Sequence, residues 1–228
     1  MLKCLNCPNA GKHPFCSLGQ ESRAFVEANS VSMEYPRGAV LFREGDQCSA
    51  VFVLCSGKVK VSAISKEGRI MILRIADAGD VLGMSAALAG GEYEVTVEAL
   101  EPCRARVLHI RYLMNLLHQY GDASLATARA LAEDYRAAFD EARLMALPAS
   151  PAGRVARLIL NWADSAKKSS SPFVTMFLTH EELASMTATT RETVTRTLSN
   201  FRKEGIISIR GVALTVLRPK VLEQLSAC

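Results

Sequence analysis

Long apolar runs are missing from this sequence, and none approaches the roughly 20 residues that a helix needs to cross a bilayer. The first residues also lack the apolar core of an export signal, so we expect a cytoplasmic protein with no membrane partner. Only four histidines are present, and no P-loop, GxSxG or HExxH motif occurs. These absences argue against the common hydrolase classes, and we expect the protein not to be an enzyme.

A large net charge is missing too, since the formal value is +4. Any surface that binds nucleic acid must therefore be a local one. Residues 191–220 supply such a surface, because basic side chains far outnumber acidic ones there. The basic residues are Arg191, Arg196, Arg202, Lys203, Arg210, Arg218 and Lys220, and the acidic ones are Glu192 and Glu204.

A helix–turn–helix pattern overlaps this basic region. Thr179 followed by Glu182 has the spacing of a capping box and predicts the start of a short helix. The threonines of 187–190 predict a break, because their hydroxyl groups favour N-caps over helix interiors. A second helix is predicted over 191–204, and Gly205 is of the residue type that often follows a helix.

Opposite faces of the second predicted helix differ in chemistry. At about 100° per residue, Val194, Leu198 and Phe201 share one apolar stripe. The other face carries side chains that can bond guanine and cytosine edges or contact a thymine methyl group in the major groove. An ordinary solvated face with an i, i+4 ion pair is the alternative. The predicted DNA-contacting residues of this helix are Arg191, Glu192, Thr195, Arg196 and Ser199.

A β-hairpin is predicted behind this helix, with strands over 206–209 and 212–216. Arg210 lies at its turn, where we expect it to contact a phosphate group. Thr179, at the start of the first helix, completes the set of predicted DNA-contacting residues. The rest of the C-terminal part is predicted as a helix over 151–167, a strand over 173–178 and a helix over 219–225.

The N-terminal half has the pattern of a β-roll or small barrel. A short helix is predicted over 19–30, and short β-branched and aromatic segments follow it with glycine turns between them. These segments are 39–42, 51–54, 58–61 and 71–75.

These patterns together resemble the CRP/FNR family of bacterial transcription regulators. The glycine and aromatic spacing of 38–46, 57–61 and 79–83 resembles its sensor domain, and residues 191–196 (RETVTR) with 205–207 (GII) resemble its winged helix-turn-helix. The resemblance implies an α+β fold with an N-terminal cyclic-nucleotide-binding-type β-roll, a long dimerisation helix and a C-terminal winged helix-turn-helix. The implied parts are a cysteine-rich arm (1–18), a sensor domain (19–118), a dimerisation helix (119–147) and a DNA-binding domain (148–228).

The same resemblance implies a function and partners. It implies a homodimer that binds double-stranded DNA at an inverted repeat with a TGA-like core. It also implies contact with RNA polymerase. A signal received by the sensor domain would control DNA binding.

A long helical stretch follows the β-roll. Residues 111–147 are rich in strong helix formers, and small and apolar residues recur there at the 3,4 spacing of a coiled-coil seam. We interpret this helix as a dimer interface, and the alternative is a helix that packs only on its own sensor domain. Pro148 and Pro151 are expected to end it. The predicted seam residues are Ala128, Leu131, Tyr135, Ala138, Ala142 and Met145.

The effector pocket of the family is altered in this chain. Members that bind cAMP use a glutamate for the ribose and an Arg-Ser pair for the cyclic phosphate. Here Met84 takes the place of the glutamate, and the pair falls at about Tyr93 and Glu94. A carboxylate beside a phosphate group is repulsive, so we expect no cAMP binding. A different small molecule in the pocket of Met84, Tyr93 and Glu94 is an alternative signal.

Three of the seven cysteines, Cys4, Cys7 and Cys16, lie close together in the N-terminal arm. Thiolates at such spacing can bind a metal ion or an iron–sulfur cluster. FNR-type members hold an oxygen-labile [4Fe-4S] cluster with such an arm and a sensor-domain cysteine. Cys103 is the candidate for that fourth ligand, although it precedes the family position, which falls near Arg106. The open alternatives are ligation by Cys48 or Cys55, a zinc site that includes His13, a thiol switch, and an arm without a redox role.

Overall fold

A computed structural model describes residues 14–65, 68, 70–146, 150–168, 174–175 and 178–226. Two predicted cluster ligands, Cys4 and Cys7, lie outside the described residues. The chain forms two compact units, Met1–Ala138 and Phe139–Cys228. None of the described helices combines the length and the apolar character that crossing a bilayer requires.

The first unit is built around two four-stranded antiparallel sheets, with strand orders β1-β8-β3-β6 and β2-β7-β4-β5. The strands are β1 (Ser30–Tyr35), β2 (Val40–Phe42), β3 (Ala50–Ser56), β4 (Val59–Ile64), β5 (Ile70–Ala76), β6 (Val81–Leu82), β7 (Thr96–Ala99) and β8 (Cys103–His109). Their valine and isoleucine content suits a pleated, buried surface. All four predicted strand segments are present, and the predicted β-roll is confirmed.

The core of the first unit takes side chains from both sheets. Leu54 and Leu108 from one sheet and Val59 from the other are fully buried. The core also reaches further towards the N-terminus than predicted. Phe15 and Leu18 are buried in it, so the end of the predicted arm packs on the sensor domain.

Four helices accompany these sheets in the described ranges, together with a short 3-10 helix at Pro14–Ser17. They are α1 (Gln20–Asn29), α2 (Met84–Ala89), α3 (Ile110–Gln119) and α4 (Gly121–Ala146). The prediction of one continuous helix over 111–147 is wrong in its first third. The chain breaks at Tyr120, whose backbone is extended, with φ of −124° and ψ of 106°.

The second unit holds the helix-turn-helix and a three-stranded antiparallel sheet of order β10-β11-β9. Its elements are α5 (Pro151–Lys168), β9 (Val174–Thr175), α6 (His180–Met186), α7 (Arg191–Lys203), β10 (Ile207–Arg210), β11 (Ala213–Val216) and α8 (Pro219–Ser226). Buried side chains of α5, α7 and β11, such as Ile159, Leu198 and Leu214, form its core. The predicted winged helix-turn-helix is confirmed.

Candidate functional site

The first helix of the motif, α6, begins with the predicted capping box. The Thr179 hydroxyl accepts a hydrogen bond from the backbone N–H of Glu182 at 3.2 Å, and the Glu182 carboxylate accepts from the backbone N–H of Thr179 at 2.9 Å. Arg154 of α5 then holds the turn that follows α6. Its guanidinium donates to the carbonyl oxygens of Thr187 and Ala188 at 2.7 and 3.1 Å. These contacts fix a turn in which Ala188 has a φ of 45°.

Helix α7 presents the two faces that the sequence predicts. Val194, Leu198 and Phe201 are buried in the second unit. The opposite face is exposed and forms one concave surface, which we call the α7 surface. It is lined by all five predicted residues of this helix, namely Arg191, Glu192, Thr195, Arg196 and Ser199. Lys203, which the sequence placed in the basic region, lines the same surface, and so does Asn200, which was not predicted.

Two charged groups on the α7 surface are suited to reading bases. Arg196 has no hydrogen bond or ion pair with any described residue, so the N–H donors of its guanidinium are available. Hydrogen bonds from its own backbone N–H and from the Thr190 side chain hold the pKa of the Glu192 carboxyl below its ordinary value. Glu192 is therefore an ionised acceptor, which is what the amino group of cytosine requires.

Thr179 and Arg210 flank this surface in sequence and differ in what their side chains are free to do. The Thr179 hydroxyl donates its proton to the Glu182 carboxylate at 3.1 Å, so the cap uses that proton. Arg210 is exposed at the end of β10, where the predicted hairpin turn lies. Gly211 completes that turn with a φ of 59°, a conformation that suits glycine.

Helix α4 has an exposed apolar stripe on the face opposite the one that packs on the sensor core. Ala123 and Ala126 are buried on the packed face. On the opposite face, Tyr135 and Phe139 are 71% and 55% exposed. Apolar residues recur there at 3,4,3,4 spacing, and we call them the α4 stripe. Its members are Leu125, Ala128, Ala132, Tyr135 and Phe139.

The α4 stripe differs from the predicted seam, which stays a prediction. Leu131 is partly buried and packs against the core of the first unit, whereas the stripe runs through Ala132. Ala128, Tyr135 and Ala138 are exposed, and the side chains of Ala142 and Met145 lie outside the described ones. The physical reason is that both faces of α4 are apolar. Spacing alone therefore does not show which face packs on the same chain.

Two of the three predicted effector-pocket residues have buried side chains. Met84 and Tyr93 are 2% and 4% exposed. The Tyr93 ring stacks on Phe42 with ring centroids 4.0 Å apart, and its hydroxyl donates to the carbonyl oxygen of Ala50 at 2.7 Å. Gly83 permits this packing, because a Cβ atom at that position would lie 2.8 Å from the tyrosine ring.

Glu94, the third predicted residue of the pocket, is exposed. Its carboxylate accepts a hydrogen bond from the hydroxyl group of Ser85 at 3.0 Å. The expectation that this residue stands in place of the Arg-Ser pair of cAMP-binding members stays a prediction.

Of the four predicted cluster ligands, Cys16 and Cys103 are described, and neither forms a disulfide bond with another described cysteine. Cys103 is buried against Gly57, where an added Cβ atom would lie 2.5 Å from the Cys103 Cβ. Burial first, and then the carboxylate of Glu101, raise the pKa of the Cys103 thiol, which disfavours the thiolate that binds metals. Within the described ranges, no three His, Cys, Asp or Glu side chains are grouped to hold a metal ion. Cys4 and Cys7, which are predicted to bind with Cys103, lie outside the described residues, so the ligand set stays a prediction.

Arg74 of β5 connects the sensor sheet to α4, a contact that sequence reasoning missed. Its guanidinium bonds Asp80 and Asp134, each at 3.0 Å, across 6 and 60 residues of sequence. Burial raises the pKa of Asp134, and Arg74 opposes this shift. The three residues line a cavity of about 170 Å³ together with Phe15, the residue before Cys16.

Comparison with known proteins assigns both units to one family. Residues 32–120 match the cyclic nucleotide-binding domain family, and residues 153–225 match the Crp-like helix-turn-helix domain family. The transcriptional regulator LdrP of Thermus thermophilus is 30% identical over 178 residues, which cover 76% of this chain and 86% of that protein. The CRP-like cAMP-activated global transcriptional regulator of Mycobacterium tuberculosis is 26% identical over 186 residues, or 81% of this chain and 83% of that protein.

A solved structure agrees on the fold. FixK2 from Bradyrhizobium japonicum superimposes with a TM-score of 0.78, covering 87% of this chain and 98% of that one at 20% identity. The family assignment rests on the two domain matches and on the relative at 30% identity, and the exposed α7 surface agrees with it. The chain belongs to the CRP/FNR family, whose members are DNA-binding transcription regulators and not enzymes.

Proposed function

We propose that this protein binds, as a homodimer, an inverted-repeat operator whose half-sites carry a TGA-like core. The observation that carries the proposal is the α7 surface, where Arg191, Glu192 and Arg196 are exposed on a helix whose other face is buried. The G·C pair of a TGA core offers guanine acceptors to an arginine and a cytosine amino group to a glutamate. The flanking Arg210 is in a position to contact phosphate.

A second copy of this chain is the partner that the α4 stripe suits. Apolar side chains at 3,4 spacing on an exposed helix face are the pattern of a two-helix interface. Helix-turn-helix proteins commonly use two-fold dimers to read two half-sites about 34 Å apart. The proposed dimer supplies the two copies of α7 that an inverted repeat needs. Contact with RNA polymerase is part of the proposal and follows from family membership.

A binding titration tests this function. The labelled duplex carries two TGA-like half-sites as an inverted repeat, and the control duplex has both cores scrambled. Salt is held fixed, because phosphate contacts make affinity strongly salt-dependent. We expect a preference for the inverted repeat of about three orders of magnitude or more. Equal affinity for the two duplexes would show backbone binding alone and would contradict the proposal.

We expect cAMP to leave operator affinity unchanged, unlike what the name of the mycobacterial relative indicates for that protein. The Tyr93 ring occupies the pocket region, and the Glu94 carboxylate would repel the cyclic phosphate. Operator titrations with and without excess cAMP, together with a thermal-shift assay, measure the effect. A rise in operator affinity with cAMP would overturn this expectation.

We also propose that the N-terminal arm receives the signal, through a [4Fe-4S] cluster held by Cys4, Cys7 and Cys16 with a fourth ligand still to be found. Support comes from the packing of residues 14–18, the described end of the arm. Phe15, next to Cys16, is buried in the sensor core and lines the cavity beside Arg74. A change at Cys16 would therefore act on a residue that packs close to the contact between Arg74 and α4.

An absorption spectrum of protein purified without oxygen, together with iron and sulfide assays, tests whether the arm holds an iron–sulfur cluster. We expect a broad visible band that air bleaches and that Cys7→Ser removes. A Cys103→Ser variant shows whether that thiol is the fourth ligand. Colourless, iron-free wild-type protein would contradict the cluster. A signal response that persists after Cys4→Ser and Cys7→Ser would instead favour a small-molecule effector.

A further inference from the structure

His180 and Thr195 join the two helices of the helix-turn-helix. His180 is the first residue of α6 and is half-buried, and Thr195 is exposed on α7. The His180 Nδ1 and Thr195 Oγ1 atoms are 2.8 Å apart, across 15 residues of sequence. Sequence reasoning gave His180 no role.

The other hydrogen bond of Thr195 fixes the direction of this contact. The Thr195 hydroxyl has a single proton, which it donates to the backbone carbonyl oxygen of Arg191 at 2.9 Å. The hydroxyl must therefore accept from His180, so the Nδ1 atom carries a proton. An imidazolium has the same proton, so the contact is retained whether His180 is neutral or charged.

Held in this way, Thr195 offers its methyl group to a ligand. Its hydroxyl cannot donate to a base because the proton is engaged, and His180 occupies one of its acceptor positions. Thr195 lies on the same exposed surface as Arg191 and Arg196. In the major groove, a threonine methyl group contacts the C5 methyl group of thymine.

We propose that His180 is a specificity-determining positioning residue, which holds the Thr195 hydroxyl so that the Thr195 methyl group selects a thymine in each half-site. This inference rests on the proposed function, since α7 must lie in the major groove. His180 itself contacts no base. Without it, the Thr195 hydroxyl regains an acceptor position and tolerates bases that present an amino group.

Uracil substitution tests this inference, because uracil lacks only the C5 methyl group of thymine. The probe is an inverted-repeat operator selected from random duplexes by the wild-type protein. Each thymine of the half-site is replaced by uracil in turn, in both half-sites. At one position we expect wild-type affinity to fall about four-fold per half-site, the value of one buried methyl group.

Two substitutions of Thr195 separate its methyl group from its hydroxyl group. Thr195→Val keeps the methyl group and should retain the ratio of thymine to uracil affinity. Thr195→Ser keeps the hydroxyl and should bring this ratio close to one at the same position. The opposite pattern would overturn the inference by showing that the hydroxyl group reads the base.

His180→Ala should lower the ratio of thymine to uracil affinity towards one and allow more bases at that position. His180→Gln keeps a hydrogen-bond donor, so it should preserve more of this ratio. Each ratio compares two probes on one protein, so a general loss of folding or of backbone affinity cancels. An unchanged ratio in His180→Ala would overturn the inference.

If the wild-type protein prefers the operator but binds it equally well with uracil in place of each thymine, the inference alone fails. If it prefers no operator, the proposed function fails as well.

Discussion

Replacing Arg196 with alanine is expected to weaken operator binding by about 1–3 kcal/mol per half-site and to relax the base preference at one position. The guanidinium has no partner among the described residues, so its removal leaves no unsatisfied group in the free protein. The lost free energy therefore belongs to the complex with DNA. Competition titrations against operators changed at one base pair at a time measure both effects.

Arg202→Ala is the matched control for this experiment. Arg202 is exposed on the same helix and has the same charge, but it does not line the α7 surface. Its loss should weaken binding less and equally for all sequences. If Arg196→Ala also weakened binding equally for all sequences, Arg196 would be a phosphate contact, and the proposed reading of the core would be contradicted.

Replacing Tyr135 with glutamate is expected to give a monomer that no longer binds the operator tightly. Tyr135 is 71% exposed in the single chain, so the substitution costs the folded monomer little. In a two-fold dimer, two carboxylates would be buried among the apolar residues of the α4 stripe, at a cost of several kcal/mol. Sedimentation velocity and operator titration measure the two consequences.

Leu88→Glu provides the control for the dimer prediction. Leu88 lies on α2 and is 39% exposed, and the change again places a glutamate on an exposed apolar position of the first unit. This variant should remain dimeric and bind the operator as the wild type does. A dimeric Tyr135→Glu protein with wild-type affinity would show that the dimer uses another surface.

The DNA-binding motif could be predicted from the sequence because its signals are local. The capping box joins Thr179 to Glu182 within one helical turn, and Gly205 has the positive φ that its position after α7 requires. The two faces of α7 follow from helix geometry alone. Each feature depends on residues a few positions apart, which sequence patterns represent well.

The β-roll could be predicted as a class of fold, but not in its internal packing. Its strands have recognisable composition and turn glycines. However, the stacking of Tyr93 on Phe42 and the pairing of Arg74 with Asp134 join residues that are distant in sequence. No periodicity encodes such contacts, so the stacking of Tyr93 and the link between β5 and α4 could be learned only from the structure.

The structure departs from the prediction at two points of the helical region. Strong helix formers dominate residues 111–147, but Gly121, directly after Tyr120, was a local signal for the break that the prediction did not use. Leu131 has the spacing of a seam residue, yet it packs on the sensor core of its own chain. A helix with two apolar faces needs tertiary contacts to show which face is covered.

The spacing of the cysteines does not show whether each thiol is accessible to a metal. Cys103 was placed in the ligand set by its approximate position, and only the structure shows that it is buried against Gly57 with a raised thiol pKa. The proposed signal site depends on an arm whose Cys4 and Cys7 lie outside the described residues, whereas the proposed DNA-binding site is a described surface.

Selection of bound sequences from a pool of random duplexes tests the central claim most directly. The account predicts enrichment of an inverted repeat with TGA-like half-sites whose centres lie about 10 base pairs apart, bound by two copies of the chain. Enrichment of a site without two-fold symmetry, or no enrichment above the starting pool, would contradict it.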